Sequence, residues 1–244
     1  MTAPLKLAIL ETDVLRPALK PTYHSYGRMF TDLLNQADFS GEIEVFPVID
    51  GIYPDSIDDF DAYLITGSQH DAFADDDWIV RLREFCQTLY QAGKPIIGIC
   101  FGHQLLAHAL GGKAGRADRG WGLGVMTYDF DDTARAALPD FVDQAEPVSL
   151  LISHRDQVLA LPPGAETLLT NDFCRYAAYH IPNRVLCFQG HPEFTKDYSQ
   201  SLLKYREGDI SDEQMQSVVD SLADEHQGAR IARWMRDFLD SSHR

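Results

Sequence analysis

Short apolar runs alternate with amphipathic segments along the first half of the chain. The apolar runs have the length of buried strands, and the segments between them repeat apolar residues at helical spacing. Four runs predict strands, at residues 5–10, 42–48, 62–66 and 96–99. The patterns between and after them predict helices at 26–37, 77–92 and 101–110. Strands that alternate with helices pair in parallel through right-handed crossovers, so the fold class is predicted to be α/β.

The pattern changes after Gly122, where short β-rich runs follow one another without helices between them. Turn residues such as Pro162 and Gly164 separate these runs. The runs are at 124–128, 148–152, 167–171, 175–180 and 185–189. We therefore predict a small antiparallel β extension that returns to the main sheet.

Helical patterns resume after His191. The last of them has an apolar stripe at helical spacing, formed by Ile231, Trp234, Met235, Phe238 and Leu239. Such a stripe is typical of a helix that packs on a core. No repeat or long linker divides the chain, so we predict a single domain over residues 1–244, with the C-terminal helices from about residue 194 packed on it.

Composition and charge narrow the classes of function. Hydrophobic residues make up 45% of the 244 residues, enough for one substantial core. The formal net charge is −16, and Lys and Arg form no cluster in the sequence. Nucleic acids and anionic membranes both attract positive protein surfaces, so we expect neither as a partner.

The cysteines and acidic residues give no sign of a metal site. The four cysteines lie far apart without zinc-like spacing, and the acidic run at 71–77 lacks the spacing of a calcium loop. No targeting or membrane-spanning segment is visible, and we expect a reduced, cytoplasmic compartment. We expect neither a metal nor another cofactor.

Cys100 is the strongest candidate for a nucleophile. It lies between an apolar strand and a predicted helix, and Gly98 and Gly102 flank it two residues away on each side. This is the nucleophile-elbow pattern with cysteine in place of serine. The thiol would project from the carboxyl end of the sheet, at a helix N-terminus that favours thiolate. The backbone N–H of Phe101 could donate to an oxyanion there.

A thiol nucleophile needs a base, and the base needs a residue that orients it. His191 follows the predicted strand at 185–189, at the same edge of the sheet as Cys100 if these strands are parallel. Glu193 lies two residues further on. In an extended segment residues i and i+2 share one side, so Glu193 can reach the far ring nitrogen of His191.

The segments Gly98-Ile-Cys-Phe-Gly-His-Gln104 and Gly190-His-Pro-Glu-Phe194 together resemble those of class I glutamine amidotransferases. This Cys-His-Glu group includes the amidotransferase domain of GMP synthetase. The resemblance implies a flavodoxin-like core with a mostly parallel sheet flanked by helices. It also implies a γ-glutamyl thioester on Cys100, with His191 as base and Glu193 as its orienting residue, in a free-standing member of the family.

The same resemblance implies further site residues. The family's oxyanion loop follows the third strand, where this chain has Gly67 and then Ser68, while many members have two glycines. The resemblance implies Gly67 as an oxyanion donor and Ser68 as a substrate-binding residue. Gln104, on the first turn of the helix after the elbow, matches a substrate-binding position. The segment Ser153-His154-Arg155-Asp156 resembles the family's Ser-His-x-Asp loop, which holds the two α-substituents of glutamine. From its residues alone, this segment would be a polar loop after a strand.

Three functions are consistent with these motifs. The first is hydrolysis of the glutamine side-chain amide by a free-standing enzyme, whose ammonia acceptor is either a separate synthetase subunit or absent. The second is a γ-glutamyl peptidase acting on glutathione-like conjugates, because residues 65–73 resemble the matching segment of plant γ-glutamyl peptidases. The third is a non-catalytic regulatory module on the same fold.

Overall fold

A computed structural model describes residues 4–132 and 138–242. The predicted domain of residues 1–244 therefore includes short segments outside the described residues, and the single domain stays a prediction. Within the described ranges no helix is long and apolar enough to cross a membrane.

The strands are numbered β1 to β11 in chain order. They are Lys6–Glu11, Glu42–Pro47, Ala62–Ile65, Ile96–Ile99, Lys113–Arg116, Gly122–Phe130, Val148–His154, Asp156–Ala160, Glu166–Thr170, Ala178–Ile181 and Val185–Phe188. The helices are numbered α1 to α7. They are Lys20–Tyr23, Tyr26–Gln36, Asp77–Gln91, Phe101–Ala109, Lys196–Leu203, Asp212–Ser221 and Gly228–Ser242.

Nine strands form one sheet in the order β2-β1-β3-β4-β11-β10-β9-β6-β7. The pairs from β2 to β11 are parallel, and those from β11 to β7 are antiparallel. Strands β5 and β8 form a separate antiparallel sheet. The predicted fold class is confirmed: a mainly parallel sheet is flanked by helices and carries an antiparallel extension.

Helices cover both faces of the parallel part of the sheet. Side chains alternate along β1, so Leu7 and Ile9 join one buried cluster while Ala8 and Leu10 join the other. Helices α2 and α7 contribute to the first cluster, and α3 and α4 contribute to the second. The apolar stripe of α7 is buried in the first cluster, as its spacing predicts.

Strands β3, β4 and β11 are buried at every position, because helices cover them on both sides. They are neighbours in the sheet and run in the same direction, so their carboxyl ends meet at one edge. The residues that follow them are therefore brought together there.

Two features of the antiparallel region differ from the sequence prediction. Ser153 and His154 end β7, and Asp156 begins β8, so the predicted polar loop is a sharp turn at Arg155 between two strands. Polar side chains hid these strand ends from a pattern-based prediction. The predicted strand at 175–180 starts later, at Ala178, because Asn171 accepts the N–H groups of residues 173 and 174 and holds a turn.

Candidate functional site

Cys100 lies at a sharp turn between β4 and α4. Its φ of 50° lies in a region that side-chain-bearing residues rarely adopt. A Cβ on Gly98 would lie 2.7 Å from backbone atoms of Gly102, and one on Gly102 would lie 2.5 Å from the carbonyl oxygen of Ile65. The turn is therefore possible only with glycine at both flanking positions, which is the physical basis of the elbow motif.

The Cys100 thiol is buried, with 5% of the residue exposed. The side-chain amide nitrogen of Gln189, the first residue after β11, lies 3.6 Å from the sulfur. Cys100 also lines one cavity together with His191. The sulfur thus lies among polar groups at the edge of the sheet.

His191 and Glu193 form a buried pair beside the sulfur. Nδ1 of His191 lies 2.8 Å from Oε1 of Glu193. Burial lowers the pKa of His191, but Glu193 and the Cys100 thiol outweigh it and raise that pKa to about 10. The ring therefore holds a proton at neutral pH, between an acidic oxygen and a sulfur.

The contact between His191 and Glu193 arises from a turn and not from the extended segment that the spacing suggested. The N–H of His191 donates to the carbonyl oxygen of Leu151 in β7 at 2.8 Å, which anchors the backbone just before the turn. Pro192 and Glu193 then form a turn. Phe194 stacks on the imidazole with ring centroids 3.9 Å apart, so it covers one face of the His191 ring.

The loop after β3 passes directly beside this pair. A Cβ on Gly67 would lie 2.8 Å from Cε1 of His191 and 3.6 Å from Cβ of Cys100. Any side chain at Gly67 would press on the imidazole. Phe101 begins α4 immediately after Cys100, so the loop after β3 and the first residue of α4 both adjoin Cys100.

Thr12 and Asp13, which follow β1, hold the loop after β3. The hydroxyl oxygen of Thr12 lies 2.9 Å from the carbonyl oxygen of Gly67, to which it can donate. Asp13 accepts the backbone N–H of Gln69 at 2.7 Å. Neither residue was predicted from the sequence. Their position after the first strand of the parallel sheet was the available signal.

One cavity contains Cys100 together with all the predicted substrate-binding residues. These are Ser68, Gln104, Ser153, His154 and Asp156. The side-chain amide of Gln104 donates to the backbone oxygen of Asp156 at 2.7 Å and to Oε1 of Gln189 at 3.1 Å. Gln104 thus also ties α4 to β8 and to the residue beside the sulfur.

Asp156 already has a cationic partner. The guanidinium of Arg116, in β5, donates to Asp156 and also to Asp71. Burial raises the pKa of Asp156, and the Arg116 hydrogen bond opposes this change. Arg116 was not predicted from the sequence, since it lies far from Asp156 in the chain. Burial lowers the pKa of His154 to about 4, so its ring is neutral.

A second cavity meets Cys100 from the other direction. It is lined by Asp13, Arg16, Tyr26, Tyr198, Tyr205 and Arg206, among others. The two cavities share Ser68, Gln69, Cys100, Ser153 and Arg206. The thiol therefore lies between two adjoining spaces. A larger cavity of about 850 Å³ lies at the edge strand β2 and contains no cysteine or histidine.

The other three cysteines differ from Cys100 in their surroundings. Cys86, Cys174 and Cys187 are at most 1% exposed and lie in the hydrophobic clusters. Burial raises the pKa of each thiol, to about 12 for Cys174 and Cys187. A thiol held in its neutral form is a poor nucleophile, so these three cysteines have the character of structural residues.

Comparison with known proteins defines the protein family. The family model described as Glutamine amidotransferase class-I matches residues 35–205, and the chain belongs to this family. It is similar to two proteins of Arabidopsis thaliana. Gamma-glutamyl peptidase 3 is 38% identical over 73% of this chain and 73% of its own length, and gamma-glutamyl peptidase 5 is 37% identical over 86% and 87%.

Among solved structures, the chain is similar to a glutamine amidotransferase from Methylobacillus flagellatus. The TM-score is 0.73 at 18% identity, with 99% of this chain and 96% of that chain covered. At this level of identity the likeness shows the fold alone.

Proposed function

We propose that this protein hydrolyses γ-glutamyl amide bonds through a γ-glutamyl thioester on Cys100. In this proposal His191 is the acid and base, and Glu193 orients it. The observation that carries the proposal is the cluster at the sheet edge. Cys100 and His191 line one cavity, Cys100 contributes to the raised pKa of the His191 ring, and Nδ1 of that ring lies 2.8 Å from Oε1 of Glu193.

The chemistry divides into two steps. In the first, the Cys100 sulfur attacks the carbonyl carbon while its proton is held on His191, and the carbonyl oxygen becomes an oxyanion. Backbone N–H groups of Gly67 and Phe101 are the proposed donors to this oxyanion. The C–N bond then breaks, His191 gives its proton to the leaving nitrogen, and the amine departs.

In the second step, water attacks the thioester and neutral His191 takes a proton from it. Breaking the C–S bond releases glutamate and restores the sulfur beside protonated His191. The side chain of Glu193 keeps the Nδ1 proton of His191 in place, so that Nε2 is the nitrogen that exchanges protons.

The cavity on the side of Gln104 is the proposed site for the glutamyl end of the substrate. Ser68, Gln104, Ser153 and His154 supply polar groups of both donor and acceptor type. Asp156 is the proposed partner of the α-ammonium group. Its carboxylate would contact both this group and Arg116.

The leaving group distinguishes the two substrate classes. We favour a γ-glutamyl peptide or conjugate, because an open space lies beyond Cys100 and the relatives named above are γ-glutamyl peptidases. Free glutamine is the second candidate, supported by the family match. Transfer of ammonia would then require a separate synthetase subunit as acceptor. A reduced cytoplasmic compartment suits a cysteine nucleophile in either case.

The test compares glutamate release from glutamine and from γ-glutamylalanine by the purified chain. We expect Cys100→Ala to abolish release from both substrates and to abolish the covalent glutamyl adduct detected by intact mass spectrometry. Cys86→Ala is the matched control, since it removes a buried thiol of α3 that packs in the second hydrophobic cluster. It should keep turnover.

Preference for γ-glutamylalanine supports the peptidase, and turnover of glutamine alone supports the glutaminase. Absence of turnover, of an adduct and of any reaction of Cys100 with a glutamine-analogue electrophile would overturn the proposal. That result would favour the non-catalytic module.

A further inference from the structure

The second cavity at Cys100 has a distinct chemical character, because two arginines line it. Arg16, which follows β1, and Arg206, which follows α5, both line it. The chain as a whole carries a formal charge of −16. Two guanidinium groups beside the nucleophile of so acidic a protein mark this end of the site as locally cationic.

Arg16 is exposed, and its guanidinium contacts two uncharged side chains. Its Nη2 donates to the amide oxygen of Gln69 at 3.0 Å, and its guanidinium lies 5.0 Å from the centre of the Tyr205 ring. These contacts orient the guanidinium and leave its charge uncompensated by them.

Arg206 is held more rigidly. Its guanidinium lies 3.9 Å from the centre of the Trp121 ring, and its Nη1 lies 3.8 Å from Asp209. Its Nε is buried and has no hydrogen-bond partner among the described residues. Burial lowers the pKa of Arg206, the charge of Asp209 opposes this change, and the nearby charges of Arg16 and Arg155 lower the pKa further. An anion bound here would raise this pKa and offset the repulsion between the arginines.

Asp13 also lines this cavity, and its carboxylate is engaged by other groups. It accepts the backbone N–H groups of Val14 and Gln69 and the side-chain amide of Gln69. Its hydrogen bonds hold the loop after β3. The two arginines therefore have capacity for an external anion.

We propose that Arg16 and Arg206 bind a carboxylate on the leaving group of a γ-glutamyl substrate. This inference rests on the proposed hydrolysis of γ-glutamyl amides and specifies its substrate class. The substrates are then γ-glutamyl amino acids or peptides with a free carboxyl end. Guanidinium groups suit this role because they offer paired N–H donors to a carboxylate. Neutral γ-glutamyl amides, including glutamine, lack this contact and are poorer substrates.

The test uses two substrates of nearly equal size, γ-glutamylalanine and γ-glutamylalaninamide, which differ in the charge of the leaving group. The readout is the ratio of their kcat/KM values, which does not depend on the fraction of folded enzyme. For the wild type we expect a ratio of about tenfold or more, the effect of one charge-assisted hydrogen bond. Arg16→Gln and Arg206→Gln should each move the ratio toward one.

Arg28→Gln is the matched control, because Arg28 pairs with Asp32 on the exposed face of α2. It should keep the wild-type ratio. Equal kcat/KM values for the two substrates in the wild type would overturn the inference and leave the proposed hydrolysis intact. If Arg206→Gln lowered both values equally, Arg206 would bind the glutamyl end instead, contrary to the proposal. If the wild type hydrolysed neither substrate, the proposed function itself would fail.

Discussion

Burial by itself lowers the pKa of an imidazole, yet Glu193 and Cys100 together raise that of His191 to about 10. The balance between burial and these two neighbours, which sets the pKa of His191, depends on a few nearby atoms. Phe194 covers one face of the ring and Gly67 leaves room at its edge. Single residues thus determine whether the ring carries a proton and which of its nitrogens faces the sulfur.

Replacing Glu193 by glutamine should change this balance in a measurable way. Removal of the carboxylate charge lowers the pKa of His191, so the alkaline limb of the kcat/KM profile moves to lower pH. We also expect kcat to fall by on the order of a hundredfold or more, because the Nδ1 proton loses its anionic acceptor. The pH profile of γ-glutamylalanine hydrolysis checks the shift, and an unmoved limb would contradict the assignment.

The same pKa has a consequence for stability. The folded-state value lies above the usual unfolded value of about 6.5, so protonation of His191 stabilises the fold fully below that pH. This stabilisation is lost as pH rises through about 10. Urea unfolding at pH 6 and pH 10 should show a smaller pH dependence in Glu193→Gln than in the wild type.

At the scale of elements, the end of β1 supports the loop after β3. The backbone N–H of Thr12 donates to the hydroxyl of Thr66 at 3.0 Å, and its own hydroxyl lies 2.9 Å from the carbonyl oxygen of Gly67. Thr12 is fully buried, so water cannot replace these bonds. The position of Gly67 beside His191 therefore depends on a neighbouring strand.

Thr12→Val should test this support, since valine keeps the shape and removes the hydroxyl. We expect a loss of about 1–3 kcal/mol in the free energy of unfolding, the usual effect of leaving a buried polar group without a partner. We also expect a fall in kcat as the loop shifts. Thr88→Val is the control, because the Thr88 hydroxyl donates within the exposed part of α3. Equal kcat values in the two variants would argue against the role of Thr12.

At the scale of the whole molecule, the site joins segments from both parts of the sheet. The parallel strands deliver Gly67, Cys100 and Gln189, and the antiparallel strand β7 supplies Ser153 and His154. The C-terminal helix is also connected to the site. A Cβ on Gly228, at the start of α7, would lie 2.4 Å from the carbonyl oxygen of Pro192. The helix thus packs directly on the turn between His191 and Glu193.

Gly228→Ala should therefore affect the site from a distance in sequence. The added methyl group must displace either α7 or the Pro192 turn, at a stability cost of about 1–3 kcal/mol. We expect kcat to fall as well, because the turn aligns His191 with Glu193. Gly164→Ala is a suitable control: its φ of 79° makes alanine strained, but no atom lies within 4 Å of the new Cβ. We expect the control to lose stability and to keep its kcat. Thermal unfolding and kcat, measured for both variants, check this prediction.

Much of the parallel part of the fold could be predicted from the sequence. Each predicted strand and helix up to residue 110 lies within one residue of its observed bounds. These elements are buried on both faces or amphipathic, and such patterns are strong. The antiparallel region was less predictable. Strands β5 and β8 were missed, since the first contains Lys113, Gly115 and Arg116 and the second begins with polar Asp156 and Gln157.

The sequence alone determined the elbow at Cys100, because a turn that excludes Cβ atoms requires its two glycines wherever it occurs in a fold. It also determined the alternation of strands and helices, since burial sets the period of apolar residues. Only the tertiary structure decided which distant residues meet. Thr12 beside Gly67, Arg116 beside Asp156, and Arg16 near Arg206 depend on strand order and on turns. These are properties of chain topology that leave no local pattern in the sequence.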